Sequence, residues 1–445
     1  MKPASARLGP VDLMPGVRVS HALTYLYSAF VAIGLLTFFK TIQPFLFNVT
    51  LHVPPADQGR ITARLEVWQE LVVLLTISPF GALADRIGRR PVYALGFLLL
   101  GVGYALFPLA HSVLEFGAYR AIFAAGAAAT GGMLATVLVD YPQDRSRESM
   151  TALAYVMNGL GVVLFAVLLA KLPNWIEGLG ASEVWAGRCA LFTVAAVCII
   201  SALAMRGLKP GVPEKTRQSE ALRTLLRQGL SAARNPRIAL AYGTAFASRG
   251  DIAVVGTYLA LWSSQSAVAA GGGNAASAST AGMLTAVVQS TALLWAGIFG
   301  AIAARLQRVT ALALAMALAA VGYTVFGLVP DPNAKASIGA AMLLGIGQMS
   351  AILSSQVLIG QEAPAENTGS VLGMYGFFGA AGILFVSALG GWLFDVWRPG
   401  APFLIMAVAN VLLLLWTLWV RRSAPGPQRG APPVITVANT GSERT

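Results

Sequence analysis

The sequence predicts an all-α membrane protein with twelve transmembrane helices, and three observations support that prediction. Of the 445 residues, 56% are hydrophobic and only 11% are charged, and the mean hydropathy is +0.68. Such a composition suits burial in lipid better than a water-facing surface. Apolar runs of about 20 residues, the length that a bilayer requires, recur twelve times along the chain. The third observation is the placement of the basic residues, which follows the connections between these runs.

The twelve predicted helices fall into two groups of six. The apolar runs lie near 22–47, 63–83, 91–110, 114–139, 151–171, 187–206, 237–262, 281–303, 309–329, 337–360, 368–391 and 401–420. The longest polar interruption separates the sixth run from the seventh. The sequence therefore predicts an N-terminal six-helix bundle at 1–206, a basic linker at 207–236, a C-terminal six-helix bundle at 237–420 and a tail at 421–445.

Within the linker, leucines recur at helical spacing and arginines fall between them. The leucines are Leu222, Leu225, Leu226 and Leu230, and the arginines are Arg223, Arg227 and Arg234. This pattern predicts an amphipathic helix on the inner membrane surface, with a solvated linker as the alternative.

Lysine and arginine placement predicts the orientation of the bundle. Of the 31 basic residues, 20 fall in the termini and the even-numbered connections between these ranges, 3 in the odd-numbered connections and 8 within the ranges. By the positive-inside rule both termini are expected to be cytoplasmic. The same asymmetry accounts for the net charge of +12, so the charge does not indicate a nucleic-acid partner. No separate apolar region with a small-residue cleavage site precedes His21, so we expect the first helix to be retained.

Between the second and third predicted helices, ten residues form a short, charge-dense turn. They read Gly81-Ala82-Leu83-Ala84-Asp85-Arg86-Ile87-Gly88-Arg89-Arg90. The spacing Gly-x-x-x-Asp-Arg-x-Gly-Arg-Arg resembles the signature loop between helices 2 and 3 of the major facilitator superfamily of secondary transporters. The resemblance implies that superfamily's fold of two six-helix bundles, with a substrate site at their interface near the bilayer midplane. It also implies a gating loop that closes and releases the cytoplasmic side, formed by Gly81, Asp85, Arg86, Gly88, Arg89 and Arg90.

Each residue type in this loop has a physical reason. Glycines at 81 and 88 allow close approach to neighbouring helices and backbone dihedrals closed to other residues, and Asp85 can meet the positive end of a helix across the interface. A plain topology anchor is the alternative. The second half repeats the loop weakly from Gly300 to Arg308, but Ala304 stands where the acid would be.

Charged residues inside a bilayer usually mark a substrate or ion path, and four of them fall in the first half. They are Lys40 on helix 1, Glu66 and Glu70 on one face of helix 2, and Arg120 on helix 4. Arg120 also loosely matches an Arg-x-x-x-Gly segment that the superfamily often has on helix 4, with the glycine displaced. We expect these charges to meet at one level, with Glu70 as the deeper, proton-accepting acid and Glu66 nearer the external interface. A static bridge that clamps helices 1, 2 and 4 is the alternative.

Helix 7 contains Arg249-Gly250-Asp251 near its middle. Side chains two residues apart on a helix point in directions that differ by roughly 200°. The two charges therefore cannot both face a cavity unless Gly250 loosens the turn. We expect one of them to face the central cavity, and a purely structural pair is the alternative. The candidates for proton coupling are then Glu66, Glu70 and Asp251.

Uncharged polar side chains complete a predicted cavity lining. Gln348 and Ser355 share one face of helix 10 because they are seven residues apart, and Trp295 is a further lining residue. Polar side chains also join helices in membranes, which is the alternative for each. The substrate-cavity candidates are Lys40, Gln43, Arg120, Asn158, Arg249, Gln289, Gln348, Ser355 and Tyr375.

Together these patterns predict a proton-driven secondary transporter that moves a small organic solute by alternating access. Uptake symport and efflux antiport both stay open, although helix 5 lacks the Gly-Pro pair found in many drug–proton antiporters of the superfamily. A non-transporting membrane receptor or scaffold on the same fold is the alternative. No nucleophile–base set, phosphate loop or metal-ligand spacing is present in the sequence, so we expect no catalytic residues, metal or cofactor.

The expected partners are a small-molecule substrate, protons and the lipid bilayer. We expect a monomer that is an integral multi-pass protein of a bacterial cytoplasmic (inner) membrane.

Overall fold

The computed structural model describes residues 6–211, 222–364 and 368–423, and the side chains of 222–226 are left out. Within these ranges twelve helical segments are long and apolar enough to cross a membrane. The sequence prediction of an all-α, twelve-span membrane protein is therefore confirmed.

Six of these segments belong to the N-terminal half. They begin at residues 19, 55, 89, 113, 144 and 183. Their α-helices are α1 (Val19–Val49), α2 (Gln58–Ile87), α3 (Arg89–Leu106), α4 (Val113–Asp140), α5 (Arg147–Leu168) and α7 (Glu183–Ala204), with the short α6 (Leu172–Gly178) between the last two.

The C-terminal half begins with α8 (Leu222–Ala232), which lies within the expected linker. The seventh span is interrupted: α9 (Pro236–Ala253) passes into a π-helical turn (Val254–Tyr258), and α10 (Leu259–Ala269) follows. Asn235 begins α9, because its side chain accepts a hydrogen bond from the backbone N–H of Arg237. The remaining spans are α11 (Asn274–Ala303), α12 (Arg308–Leu328), α13 (Ile338–Glu362), α14 (Thr368–Val396) and α15 (Ala401–Ser423). Residues 212–221 of the expected linker and 424–445 of the expected tail lie outside the described residues.

Each half has its own buried core. One cluster of apolar side chains extends from Val11 to Leu208 and takes in two alanines of α11. The other extends from Ile238 to Val420. Since each half packs around its own core, the two halves meet as separate bodies along α1, α2, α5, α10, α11 and α14.

A small β-hairpin precedes α1, and the sequence analysis did not predict it. Its strands are β1 (Arg7–Leu8) and β2 (Val11–Asp12), with Arg7 opposite Asp12. Val11 and Leu13 are fully buried, and Leu13 forms a bridge with Pro142 just after α4. Two-residue strands are too short to produce a periodic pattern, so a sequence signal was lacking.

The two ends of the bundle differ in how the halves meet. We call the end where α1 begins and α15 finishes the termini end, and the other the far end. At the far end, Asn48 Nδ2 donates to Asn274 Oδ1 at 2.9 Å. Gln265 Nε2 donates to the Gln58 side chain and to the Pro55 carbonyl, each at 3.1 Å. These hydrogen bonds join the halves.

Asp395 adds a second far-end contact between the halves. It lies at the C-terminal end of α14 and accepts the backbone N–H groups of Gly59 at 2.9 Å and Arg60 at 2.7 Å. The Arg60 side chain pairs with the same carboxylate at 3.4 Å. A carboxylate from one half therefore caps the first turn of α2 in the other half, and the absence of a Cβ on Gly59 leaves room for it.

At the termini end the described residues leave the interface open. Within that part of the chain, five glycines of α2, α11 and α14 in this region have no neighbouring atom within 4 Å of an added Cβ: Gly81, Gly297, Gly300, Gly369 and Gly373. The hydroxyl of Tyr155 donates to Gln356 there at 2.9 Å. Within the described ranges this is the one side-chain hydrogen bond found between the halves at this end. The halves thus enclose a cleft that is packed at the far end and open at the termini end.

Candidate functional site

A buried carboxylate organises the closed end of the cleft. Glu66 is 2% exposed and pairs with Arg120 at 2.5 Å and with Lys40 at 3.4 Å. Thr257 donates its hydroxyl to the same carboxylate at 3.2 Å from the other half of the molecule. We call Lys40, Gln43, Glu66, Gln69, Arg120 and Thr257 the Glu66 cluster.

Arg120 is fully buried, yet each of its nitrogen atoms has a partner. Its Nε donates to Gln69 at 3.1 Å, one terminal nitrogen donates to Gln43, and the other pairs with Glu66. The guanidinium also lies over the Phe39 ring, 4.9 Å from its centre. A buried charge is tolerated only with such complete pairing, so the cluster is a fixed network in this conformation.

Helical spacing brings these side chains together. Lys40 and Gln43 are one turn apart on α1, and Glu66 and Gln69 are one turn apart on α2, so each pair shares a face. The π-helical turn contributes Thr257, and the neighbouring Gly256 makes room for Lys40, whose Cδ lies 3.0 Å from where a Cβ would be.

The two acids on α2 differ in burial. Glu66, expected nearer the external interface, is the buried partner of Lys40 and Arg120. Glu70, expected to be the deeper, proton-accepting acid, lies one turn further along α2 from the far end and is half-buried, and no salt bridge involving it is found among the described residues. Its charged neighbours are Arg249 of the other half and Lys40. Which of the two acids accepts a proton stays a prediction.

Arg249 and Asp251 point in opposite directions from α9. Arg249 is exposed, its Cγ lies 2.7 Å from the Cβ position of Gly379 on α14, and it interacts electrostatically with Glu70 and Tyr375. Asp251 is 0% exposed and faces α12 and α15. Arg249 is therefore the one of the two that can face a cavity, which stays a prediction, whereas Asp251 lies in the core of the C-terminal half.

The uncharged candidates occupy both halves. Ser355 contacts the Tyr375 hydroxyl at 2.8 Å and Thr244 at 3.0 Å. Trp295 donates to Ser350 at 2.9 Å. Gln348 is buried, Gln289 is half-buried, and Asn158 has a buried Oδ1 without a hydrogen-bond partner.

Sequence reasoning missed several polar residues that join these networks. Thr257, Thr244 and Ser350 are hydroxyl residues inside apolar helices, a pattern that is common and carries no signal of its own. Gln69 lies between the two acids of α2, and its spacing of three from Glu66 was available as a signal.

The signature loop is closed on itself rather than on the other half. Asp85 pairs with Arg89 at 2.5 Å, and Arg89 pairs with Asp140 at the end of α4 at 3.2 Å. Among the described residues no partner of Asp85 is found in the C-terminal half. The expected contact with a helix end across the interface is therefore not found among the described residues, which leave out 365–367 directly before α14.

Two glycines of the loop behave differently. Gly88 joins α2 to α3 with φ of +95°, a conformation that favours glycine, and a Cβ there would lie 2.5 Å from the Gly211 carbonyl oxygen. Gly81 is helical and has open space around it, so the close approach expected there is not present. In the second half, Arg308 and Arg237 both pair with Glu362, at 3.6 and 3.4 Å, in the position equivalent to the Arg89–Asp140 pair.

The sequence matches the family model described as the Major Facilitator Superfamily at residues 24–271 and 243–440. The chain is 26% identical over 406 residues to magnetosome protein MamH of Paramagnetospirillum magneticum, covering 89% of this chain and 91% of that protein. It is 25% identical to magnetosome protein MamZ of the same organism over 85% of this chain, which spans 59% of that longer protein. A probable inorganic phosphate transporter of Arabidopsis thaliana is 24% identical over 35% of this chain and 32% of its own length.

Two solved structures have the same fold. The crystal structure of a mutant of the nucleoside transporter NupG superimposes with a TM-score of 0.70 at 14% identity, covering 89% of this chain and 99% of that one. A POT family transporter in complex with 5-aminolevulinic acid superimposes with a TM-score of 0.67 at 12% identity, covering 91% and 96%.

Proposed function

The chain belongs to the major facilitator superfamily, and on that basis we propose that it is a proton-coupled secondary transporter that moves a small organic solute by alternating access. It is an integral multi-pass membrane protein with a transporter fold. We further propose that the termini end faces the cytoplasm of a bacterial cell, that the protein lies in the cytoplasmic membrane, and that it acts as a monomer.

The observation that supports this proposal most strongly is the asymmetry of the interface between the halves. The far end is closed by Asn48, Gln265 and Asp395, and the termini end is open. The far-end closure consists of polar contacts that exchange for water at little net free energy. Transport then proceeds when the far-end contacts separate and the termini end closes.

The charge balance of the cleft favours an anionic solute. Lys40, Arg120 and Arg249 provide three positive charges, and Glu66 and Glu70 provide two negative ones. Asp251 does not offset this excess, since it is buried on another face of α9. A small organic carboxylate or phosphate would supply the missing negative charge. The 5-aminolevulinic acid bound by one structural relative contains a carboxylate beside its ammonium group, and the phosphate named for a sequence relative is an inorganic anion.

Glu66 is the residue through which we propose that protons act. Protonation of Glu66 removes the negative charge that pairs with Lys40 and Arg120. It also turns the carboxylate that accepts the Thr257 hydrogen bond into a neutral carboxylic acid, which is a weaker acceptor. The released cations then bind the solute's anionic group, and the contact from Thr257 between the halves weakens. Glu70, which faces the cleft, relays the proton between water and Glu66.

The proposal is tested in two steps. Purified protein is first screened by thermal shift against inorganic phosphate, 5-aminolevulinate, other small carboxylates, nucleosides and organic cations, because a ligand that binds the native state raises its melting temperature. Solutes that stabilise are then assayed for uptake by proteoliposomes with and without a pH gradient. We expect anions to stabilise and their flux to follow the gradient.

A non-transporting receptor or scaffold stays the second candidate, since the names of the magnetosome relatives state no transported solute. Stabilisation by a solute without any flux of that solute would favour this candidate over transport.

A further inference from the structure

The core of the C-terminal half contains a carboxylate that the cleft chemistry does not use. Asp251 on α9, Asn410 on α15 and Tyr323 on α12 are each 0% exposed. Asn410 Nδ2 donates to Asp251 Oδ1 over a long 3.5 Å, and the Tyr323 hydroxyl lies beside the same carboxylate.

Three oxygen atoms of this group lack partners. Asp251 Oδ2, the Tyr323 hydroxyl and Asn410 Oδ1 make no hydrogen bond of acceptable geometry within the described part of the chain. Among the same residues no lysine, arginine or histidine forms an ion pair with Asp251, and Tyr323 is the titratable group that faces it. An unpaired buried carboxylate is strongly disfavoured, so its charge must be neutralised by something bound there.

We propose that Asp251, Tyr323 and Asn410 form a buried site for one monovalent cation, either Na⁺ or a proton. The donors are a carboxylate, an amide oxygen and a phenol oxygen, which are hard ligands. One negative charge matches one positive charge, whereas a divalent ion would leave an excess charge in an apolar core. The π-helical turn begins three residues after Asp251, and such turns are frequent at functional sites.

The cation site does not depend on the proposed function; only its effect on transport does. One helix, α9, presents Arg249 to the cleft and Asp251 to this site. A bound cation therefore fixes the helix that faces the solute. Cation binding itself is measurable on the protein in detergent without solute, so its failure and the failure of transport are separate results.

The experiment compares melting temperatures of the full-length protein, with NaCl replacing choline chloride at constant ionic strength and with pH varied from 6 to 9. The variants are Asp251→Asn, which keeps shape and removes charge, and Tyr323→Phe, which removes one oxygen. Tyr104→Phe is the matched control, because this buried phenol donates to the Leu35 carbonyl in the other half.

If the ligand is Na⁺, the melting temperature of the wild type and of Tyr104→Phe rises saturably with Na⁺. That rise is lost in Asp251→Asn, and its midpoint concentration increases several-fold in Tyr323→Phe. If the ligand is a proton, Na⁺ has no effect, and the wild type loses stability as pH rises, because the native state binds a proton that the unfolded state releases. Asp251→Asn then lacks that part of the pH dependence.

Identical responses of the wild type and Asp251→Asn to both Na⁺ and pH overturn the proposal. Should Asp251→Asn not fold, the other proteins decide: equal midpoints for Na⁺ in Tyr323→Phe and its control contradict a Na⁺ site, and a wild type that loses no stability as pH rises contradicts a bound proton.

Discussion

At the scale of single residues, Glu66 is the acid that holds the polar network at the far end of the cleft together. Its two oxygen atoms hold Lys40, Arg120 and the hydroxyl of Thr257. Removing one partner of a buried ion pair leaves an uncompensated charge and costs about 3–5 kcal/mol, whereas replacing both partners is often close to neutral. The stability of the protein therefore depends more on the balance of charges within the Glu66 cluster than on any single contact in it.

This sensitivity gives a prediction for stability. We expect Glu66→Gln to lower the free energy of unfolding by about 3–5 kcal/mol, because Lys40 and Arg120 lose their counter-charge. The double variant Glu66→Gln with Arg120→Gln should recover at least half of that loss. A double-mutant cycle from thermal unfolding measures the coupling, and additive losses would show that the two side chains do not act as a pair.

The opposite directions of Arg249 and Asp251 give a prediction for accessibility. In a background with Cys189→Ser and Cys198→Ala, we expect Arg249→Cys to react with a small water-soluble thiol reagent and Asp251→Cys to stay unlabelled, because only the former is exposed. Addition of a stabilising solute should slow labelling at position 249. Labelling of Asp251→Cys at a comparable rate would place both residues on the cleft and contradict the assignment.

At the scale of elements, α2 and α14 form an antiparallel pair with a carboxylate near each C-terminal end. Asp395 of α14 caps the first turn of α2 at the far end. Asp85 of α2 lies at the termini end, where α14 begins, but is paired with Arg89. We interpret the two acids as alternative closures, of which one is engaged in this conformation.

Loss of the engaged closure should open the far end. The charge of a carboxylate at a helix N-terminus contributes about 0.3–1 kcal/mol, and Asn keeps an amide oxygen for the cap, so we expect Asp395→Asn to raise the population of the open far end about 2- to 5-fold. The reporter is Thr62→Cys, a fully buried position on α2 behind the cap, labelled by an impermeant maleimide in the same cysteine-free background. Asp331→Asn is the control, since Asp331 bonds Ser266 and Asn333 within one half. Equal labelling in both variants would contradict the role of Asp395.

The other closure is tested through transport. Asp85→Asn removes one charge without changing shape, so we expect normal expression and insertion with reduced solute flux. Normal flux kinetics would leave the signature loop as a topology anchor only.

The sequence was sufficient for the helices and insufficient for their depth and rotation. Apolar length predicts each span because the bilayer imposes it, and the signature loop was recognisable because its residue types and spacing are specific. Which of Arg249 and Asp251 faces the cleft depends on the rotation of α9 within the bundle, and the burial of Glu66 and Glu70 depends on the packing of α2 against the other half. Neither leaves a periodic signal in the sequence. The hairpin of Arg7 to Asp12 was missed because it is short.

At the scale of the whole molecule, two compact halves meet along an interface that is closed at one end. The polar closure at the far end and the Glu66 cluster behind it involve both halves. A change in the charge of Glu66 therefore acts on the solute site and on the interface together. This coupling requires solute movement that depends on both the proton gradient and the separation of the halves.

Solute uptake by proteoliposomes tests whether movement depends on both the gradient and the separation of the halves. A mixture of small carboxylates and phosphates is supplied outside, a pH gradient is imposed, and the liposome contents are analysed by mass spectrometry. The same measurement is made on Asn48→Cys with Asn274→Cys after treatment with a short bifunctional thiol reagent, which ties the far end shut. We predict that the wild type accumulates at least one anion, that dissipating the gradient abolishes the accumulation, and that cross-linking stops it until the link is cleaved. Accumulation that persists without a gradient, or in the cross-linked protein, would contradict the account, as would folded protein that accumulates no solute at all.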